Sequence, residues 1–209
     1  MTAALLLSGG MDSLCVAWWQ RPAVAITIDY GQLPAAAEID AASAICEELR
    51  IQHSVVRVNC RSLGSGDMAG QEASVHAPAS DWWPYRNQLL ITLAGMRALA
   101  TGAGELLLGT VSTDESHRDG SPEFVQSMSQ LMREQEGSLV VRAPAIHLST
   151  IELVRVSEVP MSILAWAHSC HRSDVPCGAC RGCNKYFETL GELEHELDPL
   201  GQPRTSREK

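Results

Sequence analysis

Cys170-x6-Cys177-x2-Cys180-x2-Cys183 sets four thiols in one short, glycine-bearing stretch. Four thiolates at this spacing can close a tetrahedron around Zn2+, with Gly178 and Gly182 giving the backbone freedom to turn between ligands. Such a shell keeps no open position, so the ion would be structural. An iron–sulfur cluster and a redox dithiol pair are competing readings of the same cysteines. His168 and His171 flank the group and read as bystanders. Cys15, Cys46 and Cys60 stand in apolar or strand-like surroundings and read as small buried residues.

Ser8-Gly9-Gly10-Met11-Asp12-Ser13 is the second constellation. Two glycines permit a sharp turn and a close approach of backbone to ligand. A helix starting here would aim free N–H groups and the positive end of its dipole at an anion. Ser8 and Ser13 add hydroxyl donors. Asp12 would repel a phosphate unless it binds Mg2+ or caps backbone N–H groups. No Gly-Lys-Ser/Thr follows, so this is not a Walker loop. It resembles the pyrophosphate loop of the N-type ATP pyrophosphatases, which implies ATP with Mg2+ as the bound nucleotide.

The elements that must position these groups follow from the pattern. Ala3–Leu7 reads as a strand, Met11–Trp19 as a helix, and Ala23–Ile28 as a second buried strand ending at Asp29-Tyr30-Gly31-Gln32. Pro34 opens a helix to Arg50, and His53–Val58 is a third strand. Residues 59–84 lack periodicity, and a loop that long is functional or disordered. A helix over Asn87–Thr101, a strand at Glu105–Leu108, a polar loop Gly109–Gly120 and a helix from Pro122 to Glu136 follow. Leu139–Val141 reads as a strand, and Ser149 with Glu152 as a capping box. A last helix spans Lys185–Leu193. Alternating strands and helices predict an α/β fold, a parallel sheet with helices on both faces, plus a small C-terminal zinc-binding segment. The expected division is 1–160 for the ATP pyrophosphatase-like domain, 161–195 for the zinc segment and 196–209 for a flexible tail. The Ser8, Asp29 and Gly109 loops all fall at C-terminal strand ends, where such sheets bind ligands.

Composition narrows the class. A net charge of −9 argues against nucleic acid as partner. No apolar run reaches the roughly 20 residues of a membrane span, and no secretory leader is visible, so a cytoplasmic location is expected. Lysine occurs only at Lys185 and Lys209, so backbone N–H groups, arginine and a metal ion must carry most phosphate contacts.

Together the motifs resemble the 7-cyano-7-deazaguanine synthase (QueC) family from Ala3 to about Phe187. The family's Asp-Tyr-Gly-Gln stands here at Asp29–Gln32, with Glu38 placed like its downstream glutamate. Its Pro-x-Arg-Asn reads Pro84-Tyr85-Arg86-Asn87. Its substrate loop is echoed from Gly109 to Phe124, with Asp114, Ser116, Asp119 and Pro122-Glu123-Phe124 kept. The resemblance implies that 7-carboxy-7-deazaguanine is adenylated and given to ammonia as an amide, which a second ATP then turns into the nitrile. It implies that Ser8, Gly9, Gly10, Asp12, Ser13, Asp29, Tyr30 and Gly31 hold ATP. It places Arg86, Asn87, Asp114, Ser116 and Asp119 at the substrate, with Asp12, Arg86 and Asp114 catalytic. A homodimer or a partner protein is also implied.

Two departures bear on activity. The family's Tyr-Pro-Asp-Cys-Arg run reads His117-Arg118-Asp119-Gly120-Ser121, and its lysine in Leu-Ser/Thr-Lys-x-Glu is Thr150. Arg118 or Arg155 would have to supply the missing charge. The expectation is that adenylation and first acyl transfer persist while nitrile formation is slow or absent. Three alternatives follow: a defence enzyme related to the family that passes the acyl group to a protein amine, a different adenylating pyrophosphatase, and an inactive nucleotide-binding subunit.

Overall fold

The computed structural model describes residues 2–114 and 117–196. Five strands, β1 (Ala3–Leu6), β2 (Val24–Asp29), β3 (Gln52–Arg57), β4 (Glu105–Leu107) and β5 (Val140–Arg142), form one sheet in the order β3-β2-β1-β4-β5. Every pairing is parallel; Leu5 lies between Ala25 on β2 and Leu107 on β4. The central strands are apolar along their whole length because both faces are covered.

Period-two alternation sorts these residues into two cores. Leu5, Leu7, Ala25 and Leu107 pack with α1 (Met11–Gln20), α2 (Ala35–Leu49), α5 (Thr150–Ser157) and the short α6 (Met161–Leu164). Leu193 of α7 (Arg181–Glu196) joins the same core. Ala4, Ile26, Ile28, Leu106 and Leu108 pack with α3 (Arg86–Ala100) and α4 (Pro122–Arg133). Helices therefore cover both faces, as the pattern predicts.

Boundaries shift by one to three residues at most elements. The larger changes are α6, which the sequence reading missed, and α7, which begins inside the cysteine loop rather than after it. The capping box is present: Ser149 Oγ accepts from Glu152 N at 3.2 Å, and Glu152 Oε2 accepts from Ser149 N at 2.7 Å. Of the expected tail, 196–209, Glu196 ends α7 and residues 197–209 lie outside the described residues. Among the described residues no helix is long and apolar enough to cross a membrane.

The strand order reverses direction at β1. The chain leaves β1 for β2 and β3, then returns to its other side for β4 and β5. A crevice opens at the carboxyl ends of β1 and β4 at such a switch point. The Ser8 loop and the Gly109 loop flank it.

A candidate nucleotide site and a cysteine cluster

The glycine loop is locked by its own hydrogen bonds. Ser13 Oγ donates to the Gly10 carbonyl at 3.0 Å, Ser8 and Ser13 hydroxyls meet at 3.0 Å, and Gly10 N donates to Ser8 Oγ at 3.3 Å. Gly10 caps α1 without a side-chain bond, so the first amides of the helix remain open to an anion. Gly9 has φ +78°, and a Cβ there would lie 2.4 Å from the Glu38 carbonyl oxygen. Glycine is required by packing against α2, and Gly9 itself does not line the cavity.

A cavity of about 300 Å³ opens above this loop. Ser8, Gly10, Asp12 and Ser13 line one side; Tyr30, Arg86, Asn87, Asp114 and Asp119 line the rest. The sequence motifs thus converge, with Gly9, Asp29 and Gly31 as exceptions. Asp29 and Gly31 border a separate shallow hollow with Arg57 and Arg61. There Asp29 Oδ1 accepts from Gly31 N at 3.1 Å, so these residues shape the turn after β2 instead of facing the cavity. Ser116 lies outside the described residues.

Several groups are positioned by one another. Asn87 Nδ2 donates to the Asp119 carbonyl at 3.0 Å, and Asn87 N to Asp119 Oδ2 at 3.3 Å, tying the loop after β4 to the start of α3. Tyr85, at φ +56°, turns the chain into α3 just ahead of Arg86. The charges of Asp119, Asp81 and Glu38 face Arg86. Asp81 is buried, 3.3 Å from His117 Nε2 and 3.5 Å from both His171 Nδ1 and Arg181 Nη1. Burial alone would raise its carboxyl; His117, His171 and Arg181 outweigh that and hold it well below the usual range. Asp81 belongs to the aperiodic 59–84 stretch, and no spacing marked it in the sequence.

Lys185 is the other residue the sequence reading missed. Its Nζ lies 2.8 Å from Asp12 Oδ2 and 3.1 Å from Asp114 Oδ1. It lines the cavity together with Thr150, whereas neither Arg118 nor Arg155 does. Lys185 and Arg181, rather than Arg118 or Arg155, bring positive charge to the cavity wall.

Burial pushes the Glu38 carboxyl up to about 7, against a hydrogen bond from Gln32 Nε2 at 2.7 Å and the charge of Arg86. An acid whose folded pKa exceeds its unfolded value near 4.5 contributes stability that is complete below that value and is lost as pH rises through about 7. Glu38→Gln is expected to flatten this loss. Denaturant midpoints at pH 5 and pH 8 should fall further apart in the wild type than in the variant; equal differences would place Glu38 in contact with water.

The Sγ atoms of Cys170, Cys177, Cys180 and Cys183 all lie within 4.8 Å of one another. Cys170 and Cys180 are 4.0 Å apart, as are Cys177 and Cys183. A tetrahedral ion with bonds of about 2.3 Å separates its sulfurs by roughly 3.8 Å, so the cluster fits a single ion. A four-iron cluster, with each thiolate on a different iron, needs a wider spread. Backbone N–H groups of His171 and Cys183 donate to Cys180 Sγ at 3.3 and 3.4 Å and fix its place in the cluster. His168 and His171 are outside the cluster.

The sheet order, the glycine loop at the switch point and the cavity above it define a protein of the N-type ATP pyrophosphatase-like α/β class. The chain belongs to the QueC family: the model of the queuosine biosynthesis protein QueC matches residues 2–193. It is 31% identical over 210 residues to the 7-cyano-7-deazaguanine synthase of Desulforudis audaxviator, covering 88% of this chain and 94% of that one. It is 29% identical over 199 residues to the synthase of Acinetobacter baylyi, covering 87% and 86%. Among solved structures, the U34-tRNA thiolase NcsA from Methanococcus maripaludis, with its [4Fe-4S] cluster, shares the fold. That match has TM-score 0.50 and 16% identity, over 92% of this chain and 65% of the thiolase.

Proposed function

We propose that this chain is a cytoplasmic ATP-dependent C–N ligase that adenylates 7-carboxy-7-deazaguanine and passes the acyl group to ammonia. The substrate carboxylate oxygen attacks the α-phosphorus, and pyrophosphate leaves with the electron pair of the broken P–O bond. Ammonia then attacks the acyl carbon, AMP leaves, and a proton is lost to give the amide. Activation of the amide oxygen by a second ATP and elimination of AMP gives the nitrile. The cysteine cluster is assigned to a structural Zn2+, which fixes the loop ahead of α7.

The observation that carries this reading is the meeting of the Ser8–Ser13 loop, Asp114 and Lys185 with Arg86, Asn87 and Asp119 around one cavity. The helix amides can meet a polyphosphate, and Arg86 and Asn87 stand across the cavity from them. Thr150 leaves the site without the family's lysine charge, on which a slow second activation would depend. Lys185 supplies that charge, so the geometry supports both activations at this site.

Incubation with 7-carboxy-7-deazaguanine, ATP, Mg2+ and ammonia should release pyrophosphate and yield the nitrile by mass spectrometry. Amide that accumulates would restore the view of a disabled second step. An adduct on an added protein would mark a protein amine as the acceptor. No pyrophosphate release would leave an inactive nucleotide-binding subunit.

A further inference from the structure

We propose that Lys185 is a phosphate ligand that occupies the place of a divalent cation between Asp12 and Asp114 while the nucleotide is absent. The proposal rests on the ATP-binding part of the reading above. Lys185 is the only lysine among the described residues. It sits just past Cys183 in α7, and its ammonium bridges two carboxylates far apart in the chain, 2.8 Å from Asp12 in the first turn of α1 and 3.1 Å from Asp114. Asp12 Oδ1, shielded from solvent, accepts no hydrogen bond. One ammonium thus stands against two carboxyl groups at the open end of α1.

A polyphosphate entering there is repelled by those carboxylates unless further positive charge arrives with it. Mg2+ prefers carboxylate and phosphate oxygens, and Asp12 Oδ2 is already taken by Nζ. The ammonium and the ion therefore compete for the same oxygen. Lys185 has a flexible four-carbon stem and three donors, so it can leave the carboxylates and turn to a phosphate oxygen within the same cavity. The exchange keeps charge balanced: the carboxylates gain a divalent partner and the phosphates gain the lysine. Because α7 begins within the cysteine loop, the metal-binding segment fixes where this lysine stands.

The two roles predict opposite changes in one variant. In Lys185→Gln, affinity for Mg2+ with α,β-methylene-ATP, measured by calorimetry, should fall about tenfold to a hundredfold, as for a lost hydrogen bond to a charged group. Without nucleotide, Mn2+ should bind the same variant more tightly, read by electron paramagnetic resonance. Lys185→Arg keeps the charge and should stay within a few-fold of wild type in both, which separates charge from misfolding. Unchanged nucleotide affinity in Lys185→Gln would overturn the phosphate role, and unchanged or weaker Mn2+ binding would overturn the place-holding role. Neither measurement contains the deazaguanine, so failure of the substrate assignment would leave both results standing.

Discussion

Cys180→Ser is expected to strip the metal and unfold the C-terminal third, including α7. Cys180 is buried, its sulfur lies 4.0 Å from that of Cys170, and it collects N–H groups from His171 and Cys183. Serine is a poor ligand for a soft site, and a three-thiolate remnant would hold zinc weakly. Structural zinc binding is worth about 10–16 kcal/mol in small zinc domains, against a total stability of about 5–15 kcal/mol for a typical protein. The damage should reach the cavity, because α7 carries both Lys185 and the core residue Leu193. Elemental analysis should show about one zinc per wild-type chain and much less in the variant, with a lowered melting temperature. Chelation of the wild type should reproduce the shift. Iron in place of zinc, or an unshifted melt after complete metal removal, would reject a structural zinc.

What the sequence made legible was local. The Ser8–Ser13 loop and the cysteine spacing could be read because each motif is held within a few residues. The Ser149–Glu152 capping box and the proline-started α4 were legible for the same reason. Strand alternation gave the two-faced sheet. Lys185 escaped because its partners, Asp12 and Asp114, are 173 and 71 residues away. Two positions beyond a cysteine, it reads as an ordinary surface lysine on a helix. Asp81 escaped because its aperiodic stretch gives no hint of what it folds against; only the closed chain brings His117, His171 and Arg181 to it. Asp29 and Gly31 show the converse, a motif whose members part in space. A motif names neighbours in sequence, and the turn after β2 sends Tyr30 into the cavity while Asp29 and Gly31 face another hollow.

Arg86→Ala is expected to cause the largest loss of activity. Arg86 opens α3 at the cavity wall, its Nη1 donating to Met68 Sδ at 2.7 Å, with Asp119, Asp81 and Glu38 facing its charge. Removing the guanidinium leaves these carboxylates to repel one another and any incoming anion. Breaking a fully buried pair costs about 3–5 kcal/mol, and Arg86 is only partly buried, so the loss of stability should fall below that range. The effect on turnover should be larger, because a preorganised group that meets developing charge contributes about 10²–10³ in rate. Arg86→Lys separates the two effects. It restores the charge, and so most of the stability, but not the planar fork that holds a carboxylate or phosphate by two bonds. Turnover should therefore stay low in the lysine variant while the denaturant midpoint recovers. Substrate-dependent pyrophosphate exchange alongside chemical denaturation measures both. If the alanine variant exchanges pyrophosphate at the wild-type rate, Arg86 serves packing around Met68 and the site must draw its anion contacts from the α1 amides, Lys185 and the other donors of the cavity wall.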